Sequence, residues 1–116
     1  MIITHLIQRA DWERAQAAGT YHAPSLDTEG FIHFSTPEQV ARTATRFYAG
    51  VGGLALLVVE TDKLTARLVF EAPSHPTHDG ELFPHLYGDL NLDAVVRVID
   101  YPPQPDGTFA PPEGID

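Results

Sequence analysis

The sequence predicts an α+β domain built on a small, mostly antiparallel or mixed sheet, and three observations carry that prediction. Apolar, β-branched strand patterns stand at the start of the chain, residues 2–7, and again late in it, residues 94–99. Two helical patterns lie near the start. A continuous apolar run, residues 54–59, sits between the two groups. Strands and helices that segregate in this way, instead of alternating throughout, form α+β domains.

Ile2-Ile3-Thr4-His5-Leu6-Ile7 reads as a buried strand with His5 its only ionisable member. Asp11 to Ala18 follows as a helix with Trp12 and Ala15 on one face and Gly19 as its stop. Tyr21 to Gly30 reads as loop, with one helical turn begun by Ser25. In Phe31-Ile32-His33-Phe34-Ser35 the alternation of a strand places Phe31, His33 and Ser35 on one face and Ile32 and Phe34 on the other. Thr36-Pro37-Glu38-Gln39 then supplies an N-cap, a proline at the first helical position and a capping-box partner. The helix it opens should bury Val40, Ala41, Ala44, Phe47 and Tyr48 and leave Arg42, Thr43 and Arg46 outside.

The apolar run at 54–59 implies a strand buried on both faces, hence central in the sheet. After a turn at Asp62-Lys63-Leu64, Arg67 to Glu71 is a strand in which Arg67, Val69 and Glu71 share a face. A proline-bounded loop at 72–81 leads to the aromatic segment Phe83-Pro84-His85-Leu86-Tyr87-Gly88, and the last strand follows at 94–99. From Pro102 onward, five prolines and two glycines surround Phe109 and Ile115, the only large apolar residues there. The expected organisation is one domain over residues 1–101 and an extended, proline-rich tail over 102–116 that the fold does not need.

A chain of 116 residues fits one such domain and can bury a single core without staples. Hydrophobic content of 43% against 20% charged is that of a soluble globular protein. The absence of cysteine excludes a disulfide framework, a thiolate nucleophile and cysteine-ligated zinc or iron–sulfur. Met1-Ile2-Ile3-Thr4-His5 lacks the basic region and apolar run of a signal peptide, and the longest apolar run, 51–59, is too short to span a bilayer. A cytoplasmic location without a membrane partner is expected. Sixteen acidic against seven basic residues give a formal charge of −9, which repels a polyanion and argues against nucleic acid as a partner.

Chemistry concentrates where the 31–35 strand runs into a helix start, because such a junction offers side chains and unpaired backbone N–H groups at one spot. His33 and Ser35, on one face, can both reach a ligand lying across the strand; the plainer reading is a half-buried histidine and a serine that assists the cap. His85 and Tyr87 offer a titratable donor and an aromatic platform able to wall a pocket, or else an end-plug for the core. Glu71 closes its strand as a candidate catalytic carboxylate. His75 and His78, with His85 as a further donor, suggest a metal, but a proline-broken loop is a poor frame for zinc, so no metal site is expected. The chain has no Gly-rich phosphate loop, no Gly-x-Ser-x-Gly elbow and no His-Glu-x-x-His.

Ser25-Leu26, Glu29-Gly30-Phe31-Ile32-His33-Phe34-Ser35, Gln39-Val40, Phe83-Pro84-His85-Leu86-Tyr87-Gly88 and Leu92-Asp93-Ala94-Val95 together resemble the bacterial and plant family known as domain of unknown function 952. The likeness runs from the first strand to about Tyr101. That family is grouped by fold with the ADP-ribosyltransferases and RNA 2′-phosphotransferases. The resemblance therefore implies an ADP-ribosyltransferase-like fold: a small split sheet with two N-terminal helices and a cleft for NAD or ADP-ribose. It places His5 at the nucleotide-binding position of the first strand and makes His33-Phe34-Ser35 similar to the element that shapes the nicotinamide pocket.

In such enzymes a late glutamate stabilises the oxocarbenium-like state. The last strand here has no Glu-x-Glu or Gln-x-Glu, and Glu71 is the available candidate. A 2′-phosphotransferase needs several basic residues for its phosphates, and near the motif there are Arg42 and Arg46 alone. The resulting expectation is a domain that binds an NAD-, ADP-ribose- or nucleotide-like small molecule. His5 and His33 contact ribose or phosphate, Ser35 supplies a pocket hydroxyl, Tyr87 stacks, His85 has a polar or acid–base role, and Glu71 is the candidate catalytic carboxylate. The alternative is a non-catalytic protein-interaction module in which the same residues knit the sheet together, or, more weakly, metal binding through His75 and His78. Histidines around a concave pocket favour the first; buried, mutually bonded ones favour the second.

Overall fold

The apolar run at the middle of the chain forms the strand Leu54–Glu60, and it is central: Ile2–Gln8 and Val95–Asp100 pair with it antiparallel on its two sides. In the computed structural model, which describes residues 1–73 and 80–115, the strands in chain order are β1 (Ile2–Gln8), β2 (Thr20–Tyr21), β3 (Ile32–His33), β4 (Leu54–Glu60), β5 (Arg67–Glu71), β6 (Phe83–Tyr87), β7 (Leu90–Asn91) and β8 (Val95–Asp100). The helices are α1 (Arg9–Ala18), α2 (Pro24–Thr28) and α3 (Val40–Tyr48). All strand pairings among the described residues are antiparallel, in the orders β1-β4-β8, β3-β6-β5 and β2-β7.

Both faces of β4 are covered, as its unbroken apolar sequence requires. Ala55, Leu57 and Val59 pack with Ile3, Ile7, Trp12, Ile32, Phe34 and Leu86. Leu54, Leu56 and Val58 pack with Val40 and Ala44 of α3 on the other side. Among the described residues no helix is long and apolar enough to cross a membrane.

The expected 31–35 strand is divided between two sheets. Ile32 and His33 pair with Leu86 and His85 of β6. The Phe34 N–H still donates to the Pro84 carbonyl at 3.0 Å, but Ser35 has crossed to β1. There the Thr4 N–H donates to the Ser35 carbonyl at 2.7 Å and the Ser35 N–H to the Thr4 carbonyl at 2.9 Å. The Thr4 hydroxyl adds a third bond to the Ser35 carbonyl at 2.9 Å. Next along β1, His5 donates from Nδ1 to the His33 carbonyl at 2.6 Å. The junction of the two sheets is thus made by backbone groups, with His5 and Thr4 satisfying the carbonyls that a crossing strand leaves unpaired.

Three local expectations change. The helical turn expected at Ser25 forms as α2, starting one residue earlier at Pro24 and making three helices where two were expected, and β2, pairing with β7, falls partly in a segment read as loop. Elements this short have no hydrophobic period to detect. The helix opened at Thr36 becomes regular only at Val40, after a turn in which the Gln39 side-chain oxygen accepts the Thr36 N–H at 2.9 Å. This is the capping-box bond from the glutamine, and Gln39 is fixed for it by donating from Nε2 to the Leu82 carbonyl at 2.7 Å. Phe47 is 51% exposed rather than buried, because α3 buries the narrow stripe of Val40 and Ala44 and turns Phe47 off the sheet.

The tail after Tyr101 has no helix or strand, but it is packed. Phe109 and Ile115 are buried in the cluster beneath α3, and the ring of Phe109 lies 5.2 Å from that of Tyr101. The Phe109 N–H donates to Thr45 Oγ1 at 2.9 Å, and the Tyr101 hydroxyl to the Ala110 carbonyl at 2.5 Å. This packing bears on the expectation that the fold can spare these residues, because Phe109 and Ile115 cover part of one face of β4. Phe109→Ala should cost about 3–5 kcal/mol, the usual range for emptying a buried phenylalanine site, read as a lower midpoint in urea unfolding. A midpoint within error of wild type would show that the tail does not contribute.

His5 makes the junction pH-sensitive. Burial pushes its imidazole down to about 4 against the bond to the His33 carbonyl, which works in the opposite direction. Between that value and the ordinary 6.5 the unfolded chain binds the extra proton, so stability is complete above 6.5 and falls as pH drops toward 4. His5 keeps some exposure, which trims the effect to about 1–2 kcal/mol by pH 5. Urea unfolding at pH 7 and pH 5 should show this loss in wild type and a smaller one in His5→Gln. Equal losses in the two proteins would place the sensitivity elsewhere.

Candidate functional site

A cleft of about 790 Å³ opens where the two larger sheets meet, walled by β1, the 33–35 crossing, α3 and β6. His5, His33, Ser35 and His85 line it, facing Arg46 and Phe47 of α3. The antiparallel register explains the convergence. His33 and His85 are direct cross-strand partners, so their side chains leave the β3-β6-β5 sheet on one face. Val69 lies opposite His85 on its other side, Glu71 opposite Phe83 and Arg67 opposite Tyr87, which puts Glu71 and Tyr87 on that face too.

His85 is the most enclosed of these groups, 2% exposed. Its Nδ1 donates to Glu71 Oε1 at 2.9 Å, and the Tyr87 hydroxyl donates to the same oxygen at 2.5 Å. The Tyr87 and His85 bonds hold the Glu71 carboxyl below its ordinary range, while the bond to Glu71 raises the Tyr87 phenol. Phe31 lies flat against the His85 ring, 4.0 Å between centroids at 17°. His33 meets it edge-on at 5.5 Å. Among the described residues His85 Nε2 is buried and has no hydrogen-bond partner.

His33 donates from Nε2 to Glu29 Oε2 at 2.8 Å. The backbone sets up this pair. Gly30 adopts φ +90°, a left-handed conformation that ends α2 and lets its N–H reach the Ser25 and Leu26 carbonyls at 3.0 and 3.1 Å. The chain then turns so that Glu29 meets His33 and Phe31 covers His85. Just after β6, Gly88 is needed for space: a Cβ there would lie 2.9 Å from Ala66 Cβ. His5 uses its remaining nitrogen to accept from the Tyr21 hydroxyl at 3.4 Å, and burial pushes that phenol up to about 12.

Of the six residues singled out in the sequence, His5, His33, Ser35 and His85 line the cleft, whereas Glu71 and Tyr87 stand behind His85 and do not. Tyr87 is 38% exposed and turns its ring toward Phe31 and Arg67. The sequence reading overlooked Phe31 as the lid of His85 and Glu29 as the partner of His33, although strand alternation and the i,i+4 spacing were both visible. Arg42 is exposed as expected; it also lines the cleft and pairs with Glu81 at 2.7 Å. His75 and His78 lie outside the described residues; within them no group of three or more His, Asp or Glu side chains is placed to hold a metal ion.

Comparison with solved structures gives protein CC0527 from Caulobacter crescentus. Its crystal structure is 34% identical with a TM-score of 0.83, covering 95% of this chain and 94% of that one. A double mutant of the same protein aligns with the same TM-score at 33% identity over the same shares of the two chains. Its solution NMR structure aligns at 35% identity and a TM-score of 0.77, covering 92% and 90%. No curated protein matches the chain. Residues 6–98, which hold the β3-β6-β5 sheet, β4 and every cleft histidine except His5, match one family, and the chain belongs to it: the family described as "Protein of unknown function (DUF952)".

Proposed function

We propose that this chain is a small-molecule-binding domain of ADP-ribosyltransferase-like fold whose cleft takes an NAD-, ADP-ribose- or nucleotide-like ligand. The observation that carries the proposal is the convergence of histidines from three strands, β1, β3 and β6, on one cleft of about 790 Å³. That volume suits such a ligand, since small-molecule pockets run to about 300–1,000 Å³. Tyr21, Phe34 and Phe47 give the cleft flat apolar walls for a ring, and Arg46 stands at its edge for a phosphate. Two three-stranded sheets bridged at Thr4 and Ser35 support this reading, since the resemblance implies a split sheet.

Binding without group transfer is the form this reading takes. A ribosyl centre that becomes positive needs a carboxylate beside it. Glu71 spends Oε1 on His85 and Tyr87 and does not line the cleft, so in this reading it is a positioning residue for His85. His5 likewise engages both nitrogens with protein groups, which supports a role in shaping the wall rather than in gripping phosphate.

NAD, ADP-ribose and a panel of nucleotides should be screened by thermal shift. A true ligand at about a hundred times its Kd stabilises by about 2.7 kcal/mol and should raise the melting temperature by roughly 10 °C. No rise with any member of the panel would sink the proposal. His33→Ala should weaken whichever ligand binds by about 1–3 kcal/mol, measured by titration calorimetry. Incubation with NAD should release no nicotinamide. Steady release by wild type, abolished in Glu71→Gln, would make the domain a transferase instead.

A further inference from the structure

The unpartnered nitrogen of His85 says what kind of group the floor of the cleft receives. Glu71 is a carboxylate and can only accept, so the hydrogen of the 2.9 Å bond sits on His85 Nδ1. Tyr87 fixes the same carboxylate oxygen from the other side, which holds that tautomer in place. In the neutral ring Nε2 then presents a lone pair. It points away from Glu71, on the edge of a side chain that lines the cleft although Glu71 does not. Phe31 is stacked on the ring's face, whereas the lone pair lies in the ring plane, so the stack does not occupy that direction, and the atom is closed off from solvent. A buried acceptor without a donor is costly, and native proteins rarely leave one in place without a use for it.

We infer that His85 Nε2 is a recognition point for a hydrogen-bond donor on the ligand, and that the cleft floor takes a neutral hydroxyl-bearing group such as a sugar ring. The inference rests on the proposed small-molecule reading and adds to it the orientation of the ligand. An anionic group is disfavoured at the floor, where it would meet a lone pair backed by the Glu71 carboxylate and flanked by Glu29 on His33. The anionic end belongs at the opposite wall, beside Arg46, whose guanidinium carbon lies 5.2 Å over the Phe47 ring. His33, which meets His85 edge-on at 5.5 Å and lines the cleft, stands beside the proposed hydroxyl position.

Nitrogen-15 imidazole NMR on the intact protein tests this without a mutation, with ADP-ribose as the probe. The free protein should show His85 protonated at Nδ1 and bare at Nε2, and saturating ADP-ribose should shift the Nε2 resonance in the direction of hydrogen bonding. A proton on Nε2 in the free protein at neutral pH overturns the inference outright. ADP-ribose that raises the melting temperature but leaves the Nε2 resonance unmoved overturns it while sparing the proposed function. A ligand panel that binds nowhere removes both. His85→Gln, checked for folding by circular dichroism, should weaken ADP-ribose about tenfold, whereas Arg46→Ala should weaken ADP-ribose more than adenosine. Equal losses for the two probes would overturn the assigned orientation.

Discussion

The antiparallel bridge between Thr4 and Ser35 is the constraint on which the rest of the molecule depends. One backbone crossing, reinforced by the Thr4 hydroxyl and by His5 on the His33 carbonyl, is what fixes the angle between the β1-β4-β8 and β3-β6-β5 sheets. A strand that continued straight along β6 would have kept Ser35 in the second sheet and closed the cleft. A loop would have left its carbonyls unpaired in a buried place, which costs more than the crossing does. The motif Gly30-Phe31-Ile32-His33-Phe34-Ser35 can therefore be read as one device. Gly30 turns the chain out of α2, Ile32 and Phe34 anchor it in the core, and His33 and Ser35 are carried to the cleft as a result.

The site inherits its polarity from this frame. A carboxylate behind His85, another on His33 and a stacked phenylalanine leave each imidazole with one nitrogen committed to the protein. Held that way, the rings act as oriented dipoles rather than freely rotating bases, and orientation is what distinguishes a recognition surface from a collection of titratable groups. The two readings weighed from the sequence, histidines around a pocket or histidines bonded into the structure, turn out not to exclude each other. The same side chains line the cleft and hold the sheet, each through a different atom.

Much of this was legible beforehand because it is periodic. The unbroken apolar stretch of β4, the alternation in Arg67–Glu71 and the stop at Gly19 depend on local sequence alone, and each stands as read. What could not be read depends on contacts distant in sequence. Phe109 and Ile115 look like isolated residues in a proline-rich tail, and only the uncovered face of β4 gives them a place to dock. Phe47 fits a helical stripe, but the stripe α3 buries is narrower than the pattern suggested. Glu71 and Tyr87 were chosen for their chemistry. Their position behind His85 follows from the β5–β6 register, and pattern alone does not set the register of two short strands.

The acidity of the chain bears differently on polymers and on small ligands. A net charge of −9 opposes the approach of a long polyanion. For the proposed ligand, of dinucleotide size, charges farther from the cleft than the Debye length of about 8 Å at physiological salt would be largely screened. The charged lining consists of Arg46, Arg42 paired with Glu81, Glu29 engaged with His33, and Asp11 paired with Arg14. The lining acids outnumber the lining arginines by one, with Arg42 and Arg46 on α3 and Glu29 at His33. On the proposed reading, the cleft selects by orientation, with a phosphate toward Arg46 and hydroxyls toward the histidines.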